Sequence, residues 1–206
     1  LAADAVSLHG RALALTGRTD EGVLLLERAC AQATASGDAA REQTAAAALA
    51  HALTVAGRRN EAFAVQQRVV RLAQARGDDT DVGAQTANLA TLAYMTGRAE
   101  AAWRSASDAA RRLNAMGAEG VVGRYNTLIL ARSGAALGRL DESTQVLLPL
   151  LDAGHGEDGS NITTQVRATL CTVWLWAGQT ARALEALPTT DRSEERRVGK
   201  ECRLTC

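Results

Sequence analysis

Leucines and small residues recur in this chain at fixed offsets. Leu49, Leu89, Leu130 and Leu170 are each followed by a small residue (Ala50, Ala90, Ala131, Cys171), and seven residues beyond each small one stands a glycine. A further copy, His9-Gly10 ahead of Gly17, keeps the small residue but not the leucine. Five residues after the glycines runs a second small column: Gly22, Ala62, Ala102, Ser143 and Ala183. The anchoring glycines, Gly17, Gly57, Gly97, Gly138 and Gly178, lie 40, 40, 41 and 40 residues apart. The text after them repeats as well, as GRTDEG, GRRNEA, GRAEAA, GRLDES and GQTARA. A fixed period of roughly 20–50 residues is the mark of stacked supersecondary units.

Aligned on these glycines, each unit resolves into two helices. The pattern predicts first helices over 3–16, 41–56, 82–96, 121–137 and 162–177. It predicts second helices over 19–36, 59–76, 99–116 and 140–153, with a shortened fifth from about 180. Each turn glycine supplies the left-handed residue that closes a first helix. Asp20-Glu21, Glu61, Glu100 and Asp141-Glu142 then fall in the first turn of the next helix, where its dipole favours acids. Gly37, Gly77 and Gly117 end second helices, and Asp38 and Asp78 follow as candidate N-caps. Pro149 is expected to interrupt the fourth second helix, kinking or shortening it. The stretch AGHGEDGS, 153–160, reads as the most flexible connection. The two small columns are where the helices of one hairpin cross, since close axes need a small residue on each side.

The small residue in mid first helix, the turn glycine and the small residue early in the second helix resemble the tetratricopeptide repeat pattern, from Ala3 to about Leu187. Two departures stand out: the period is 40 rather than 34, and the proline that usually ends each unit is missing. The longer form resembles the repeat arrays of bacterial multidomain regulators, in which an ATPase and a DNA-binding domain flank a helical-repeat segment. The resemblance implies an all-α, right-handed α-solenoid of about four and a half hairpins over residues 1–190. It also implies a concave surface lined by the first helices.

Composition changes the picture at one end. The chain of 206 residues is 47% hydrophobic but only 3% aromatic, which suits closely spaced alanine- and leucine-rich helices. From Arg192 the text reads RSEERRVGKECRLTC and includes Lys200, the one lysine of the chain. The preceding arginine-only, alanine-rich usage is expected of a GC-rich bacterial gene. The run RSEERRVGKEC resembles a translated sequencing-library adapter, so 191–206 is read as a non-native or disordered tail. The tail from 192 carries five basic and three acidic residues. Removing these from 23 and 23 leaves 18 basic against 20 acidic, a net charge of −2. That balance lacks the electrostatic footprint of a nucleic-acid binder, and no direct nucleic-acid binding is expected. No stretch reaches the ~20 apolar residues of a membrane span, and no cationic-then-apolar leader is visible in the text. A helical pattern already runs at Leu1, so the repeat domain is expected to be truncated at both ends and an upstream signal stays open. Cys30 and Cys171 read as separate buried thiols of a cytoplasmic protein.

Candidate chemistry is sparse. His9, His51 and His155 fall at different offsets and show no metal-ligand spacing. GHGEDGS has the glycines of a phosphate loop without its lysine. Asn161-Ile162-Thr163 meets the glycosylation pattern by coincidence. No catalytic residue, cofactor or metal is expected. Positions six before each turn glycine should face the groove: Arg11, His51, Thr91, Arg132 and Thr172. Tyr94 and Met95, and Leu175 and Trp176, lie close by at two and three before it. Arg11, His51, Thr91, Tyr94, Arg132 and Trp176 form the candidate partner-binding groove, with aromatics and arginines as anchors. Ordinary solvated positions of a scaffold account for the same residues. Trp174 and Trp176 are read as surfaces awaiting cover. Two functions stay open: a non-catalytic scaffold that takes a protein or peptide partner or its own neighbouring domains, and a sensor holding a small molecule or peptide in the groove. A closed pocket with convergent polar groups would favour the sensor, an open groove the scaffold.

Overall fold

The computed structural model describes residues 2–117, 120–152 and 159–186. The tail from 191 and His155 with most of its glycine-rich connection lie outside the described residues, as does the Asn161 side chain.

Within the described residues the chain forms ten α-helices and no strand: α1 Ala2–Leu15, α2 Thr19–Ala35, α3 Ala39–Val55, α4 Arg59–Arg76, α5 Asp79–Met95, α6 Ala99–Ala115, α7 Val121–Ala136, α8 Leu140–Asp152, α9 Gly159–Trp176 and α10 Thr180–Ala186. They pair as five hairpins. Gly17, Gly57, Gly97, Gly138 and Gly178 all hold positive φ, between 71 and 90°, as a left-handed helix end requires. α3 and α5 start two to three residues earlier than the sequence pattern predicts. The Asp38 carboxylate accepts from the Arg41 N–H at 3.0 Å and the Asp78 carboxylate from the Asp81 N–H at 3.1 Å, so each helix begins directly after its cap.

The expected interruption at Pro149 does not occur. Pro149 lies inside α8, which runs on to Asp152. Only three helical residues follow the proline, so the loss of its N–H falls in the last turn.

The helices fall into two compact units, Leu1–Ser143 and Thr144–Cys206. In both, the two small columns meet where a hairpin crosses itself. A Cβ placed on Gly22 would stand 2.5 Å from the Gly10 carbonyl oxygen and 2.9 Å from the Ala14 nitrogen. In the fourth hairpin the Ser143 hydroxyl donates to the Ala131 carbonyl at 2.9 Å. In the fifth the Cys171 thiol donates to the Ala183 carbonyl, also at 2.9 Å. Each pair is 12 residues apart, one from each column. Where the residue is larger than glycine or alanine, its polar atom bonds the facing backbone.

In the first unit each helix packs on the next from α1 through α7, and α1 also packs on α3, as α5 does on α7. α3 and α5 make no close backbone approach, although Gln43 of α3 bonds Asp81 of α5 and Leu92 of α5 joins the apolar cluster of α3. A dry cluster of Val23, Leu26, Cys30, Ala45, Ala48, Ala52 and Leu53 seals the joint between the first two hairpins. Burial pushes the Cys30 thiol up to about 11, with the nearby Arg68 opposing and Glu42 adding to the shift.

The recurring arginine after the turn glycine has two roles. Arg18 and Arg58 fork onto Glu21 and Glu61, three residues on, at 2.6–2.9 Å, in place of a side-chain cap. Arg98 and Arg139 stack over the ring of the preceding hairpin, Phe63 at 4.5 Å and Trp103 at 3.9 Å, and Arg139 also keeps a looser pair with Glu142 at 3.7 Å. Two of the chain's six aromatics, Phe63 and Trp103, are thus used at joints between repeats.

Candidate functional site

The gap between α3 and α5 is a pair of adjoining clefts. The larger, about 510 Å³, is lined by Arg11 of α1, by Gln43, Thr44, Ala47, Ala48 and His51 of α3, by Arg76 closing α4, and by Asp81 and Gln85 of α5. The smaller, about 180 Å³, shares Ala47 and His51 and adds Thr54, Gln66, Asn88, Thr91 and Met95 among its walls. His51 stands at the boundary of the two and is exposed.

Glutamine takes an apolar position beside this gap. Nine residues after the turn glycine the other units carry Leu26, Ala106 and Leu147, all fully buried; the second carries Gln66, equally enclosed. A buried amide needs partners for donor and acceptor alike. Gln66 Nε2 donates to both the backbone carbonyl and the side-chain oxygen of Gln85 at 3.0 Å. Gln85 Nε2 donates to Asp81 at 3.1 Å, and buried Gln43 donates to the other oxygen of the same carboxylate. Arg76 then donates to Gln43 Oε1 at 3.0 Å. The chain Arg76–Gln43–Asp81–Gln85–Gln66 ties α3, α4 and α5 together through polar groups, where the first joint uses apolar packing. Around it the exposed Arg11 and His51 add a guanidinium and an imidazole to the rim.

The structure brings three of the six candidate groove residues to these clefts: Arg11 and His51 in the larger, His51 and Thr91 in the smaller. Tyr94 and Arg132 line neither, although Met95, next to Tyr94, walls the smaller one. Trp176 belongs to the second unit and is 60% exposed. Its neighbour Trp174 is buried, with Arg182 over its ring at 5.7 Å, so it is not a surface awaiting cover. Gln43, Gln66, Asp81 and Gln85 were not singled out by groove-facing offsets. The departure of Gln66 from a leucine–alanine column was the available signal. Among the described residues no cluster of three or more His, Cys, Asp or Glu could hold a metal ion. Nor is any helix there long and apolar enough to cross a membrane.

No protein-family profile matches the chain, and no curated protein is similar to it in sequence. Solved structures are similar in fold. A Podosopora anserina kinesin light chain-like protein, made of nearly identical TPR-like repeats, shares 18% identity at a TM-score of 0.75, covering 89% of this chain and 90% of that one. BtubC from P. vanneervenii shares 16% identity at a TM-score of 0.76, covering 95% of this chain and 80% of that one. MamA of MSR-1 shares 16% identity at a TM-score of 0.61, covering 94% and 97%. At these identities the likeness concerns the fold, which is that of a tetratricopeptide-like helical repeat.

Proposed function

We propose that this chain is a non-catalytic interaction scaffold, and that the α3–α5 gap is where it takes an extended segment of a protein partner. The observation that carries the reading is the gap itself. It is open enough to leave Arg11, Thr44, His51 and Arg76 exposed, yet backed by a fixed polar floor. An extended peptide presents unpaired N–H and C=O groups, and the exposed Asn88 amide offers a donor and an acceptor together. Arg11 and His51 on the rim suit an acidic side chain or terminal carboxylate. In the wider reading the chain is the helical-repeat segment of a larger bacterial signalling or transcription regulator. That reading is supported by the 40-residue period and the arginine-only usage before the tail.

The sensor reading has one observation in its favour. The larger cleft, at about 510 Å³ with polar groups converging on it, lies in the size range of small-molecule sites, roughly 300–1,000 Å³. Selecting a displayed peptide library on the full chain separates the two. Peptides so selected should lose about tenfold or more in affinity to the double variant Arg11→Ala/His51→Ala, as expected when anchors worth about 1–2 kcal/mol are removed. Arg111→Ala, which breaks an outer ion pair to Asp108, should leave them bound. The reverse order of sensitivity would remove the cleft from the argument. Failure to select any peptide, with a thermal shift from small metabolites, would leave the sensor.

A further inference from the structure

We propose that the smaller of the two clefts is a pocket for a primary carboxamide, presented by the partner segment as a glutamine or asparagine side chain. The proposal rests on the reading of the α3–α5 gap as a peptide site, and it names what one of its pockets selects. Its starting point is an unbalanced amide. Gln66 is 3% exposed, and both hydrogen bonds from its side-chain nitrogen go to Gln85, at 3.0 Å. Gln85 turns its own nitrogen to the Asp81 carboxylate, so both atoms it presents to Gln66 are oxygens. That fixes the Gln66 nitrogen on the Gln85 side and leaves its carbonyl oxygen Oε1 on the other. Among the described residues Oε1 accepts from nothing. Gln66 lines the smaller cleft and Gln85 does not, so the polar atom that Gln66 turns to this cleft is the oxygen. A buried carbonyl without a donor is desolvated and uncompensated unless something enters to supply one.

The other walls complement this oxygen. Asn88 stands exposed on the same cleft, and its amide is unbonded among the described residues, so it offers a donor. The Thr54 and Thr91 hydroxyls donate within their own helices, to the Ala50 carbonyl at 2.7 Å and the Ala87 carbonyl at 3.1 Å, and leave lone pairs to the cleft. Leu92 and Met95 add apolar wall. A primary carboxamide matches each feature. Its N–H2 donates to Gln66 Oε1, its C=O accepts from Asn88, and its methylene stem lies against the apolar wall. A carboxylate has no hydrogen to give Gln66. An ammonium would enter without a counter-charge, since no Asp or Glu lines this cleft. The volume, about 180 Å³, suits one side chain, as roughly 150 Å³ is enough to hold a benzene ring.

The two amides depart from the repeat together. Gln66 stands nine residues after its turn glycine and Asn88 nine before the next. The equivalent pairs are Leu26 with Ala48 at the first joint and Ala106 with Ile129 at the third, and all four are apolar and buried. Holding α4 to α5 accounts for the Gln66 nitrogen and for Gln85. It does not account for the free oxygen of Gln66 or for Asn88.

Peptides selected from a displayed library on the full 206-residue chain test the proposal. They should share a glutamine or asparagine at one position. Replacing it by the matching acid, or by methionine, should weaken binding about tenfold or more, since a site built around a hydrogen bond rejects an analogue that lacks it. On the Gln66→Leu/Gln85→Ala chain, with helicity checked by circular dichroism, the methionine peptide should bind as well as the original. Asn88→Ala changes an exposed residue and should shrink the same preference while the fold is kept. Selected peptides with no carboxamide position, or a carboxamide preference unchanged in the double variant or in Asn88→Ala, overturn the proposal while peptide capture at the gap stands. Failure to select any peptide overturns it together with that reading. Free glutamine bound as tightly as the peptides, by isothermal titration calorimetry, would assign the cleft to a small molecule and overturn the partner segment as the source of the carboxamide.

Discussion

The joint between the first and second hairpins and the joint between the second and third are built on the same 40-residue period, yet one is shut and the other open. In the first, Leu26 and Ala45 lie in one dry cluster and α1 rests on α3. In the second, Gln66 and Gln85 take the equivalent places, and α3 meets α5 through the Gln43–Asp81 bond and Leu92 rather than by close helix packing. Two amides are longer than a leucine and an alanine, and they must bond rather than interdigitate. The repeat tolerates this because the substitution is paired: each polar group has its partner on the facing hairpin. A single glutamine in a leucine column would leave a buried amide unsatisfied, at about 1–3 kcal/mol. The third joint is intermediate, closed with Ala106 against a single buried Asn126.

The largest effect is expected where the first hairpin crosses itself. Gly22→Leu drives a side chain into the Gly10 backbone and should cost about 3 kcal/mol or more in urea unfolding. Near-wild-type stability would contradict the crossing point. Ala90→Leu, at the matching column of the third hairpin, should cost roughly 1–3 kcal/mol, because an alanine already has its room there. A melting temperature equal to wild type would disprove the column alignment.

Differences between joints should be smaller. Gln43→Ala removes the amide that links Asp81 with Arg76, and a loss of about 1–3 kcal/mol is expected. The double variant Gln66→Leu/Gln85→Ala imports the dry joint and should lie closer to neutral, since both polar partners leave together. If the double variant is the worse of the two, polar pairing does not explain the open joint. Dryness of the first joint has a titration signature. Cys30 is held at about 11 when folded against an ordinary 9.0, so the folded state keeps its proton longer. That contribution is complete below about pH 9 and is lost as pH climbs toward 11. Cys30→Ala should flatten this fall in stability, and wild-type Cys30 should resist iodoacetamide at pH 8 until the chain unfolds. The smallest effect belongs to the tail: deleting 192–206 should leave helicity and melting unchanged, and a marked loss of either would show that it is part of the fold.

Much of this architecture was legible in the amino-acid order because the constraints are local or strictly periodic. A left-handed residue after a first helix calls for glycine at 17, 57, 97, 138 and 178, and a close crossing calls for small residues 12 apart. Both are satisfied within one hairpin, so a linear pattern displays them. The candidate site was legible only in part. Arg11, His51 and Thr91 follow from counting back to the glycine. The glutamine chain depends on which residue of one hairpin lies opposite which residue of the next, and that pairing spans 19 to 38 positions. Gly-Arg stands at four of the five turn glycines, but that Arg98 and Arg139 lie over Phe63 and Trp103 is decided by the neighbouring hairpin. Periodicity specifies the unit, because a hairpin's own geometry repeats with it. The joint is set by side chains meeting across units, and their distances exist only once the chain has folded.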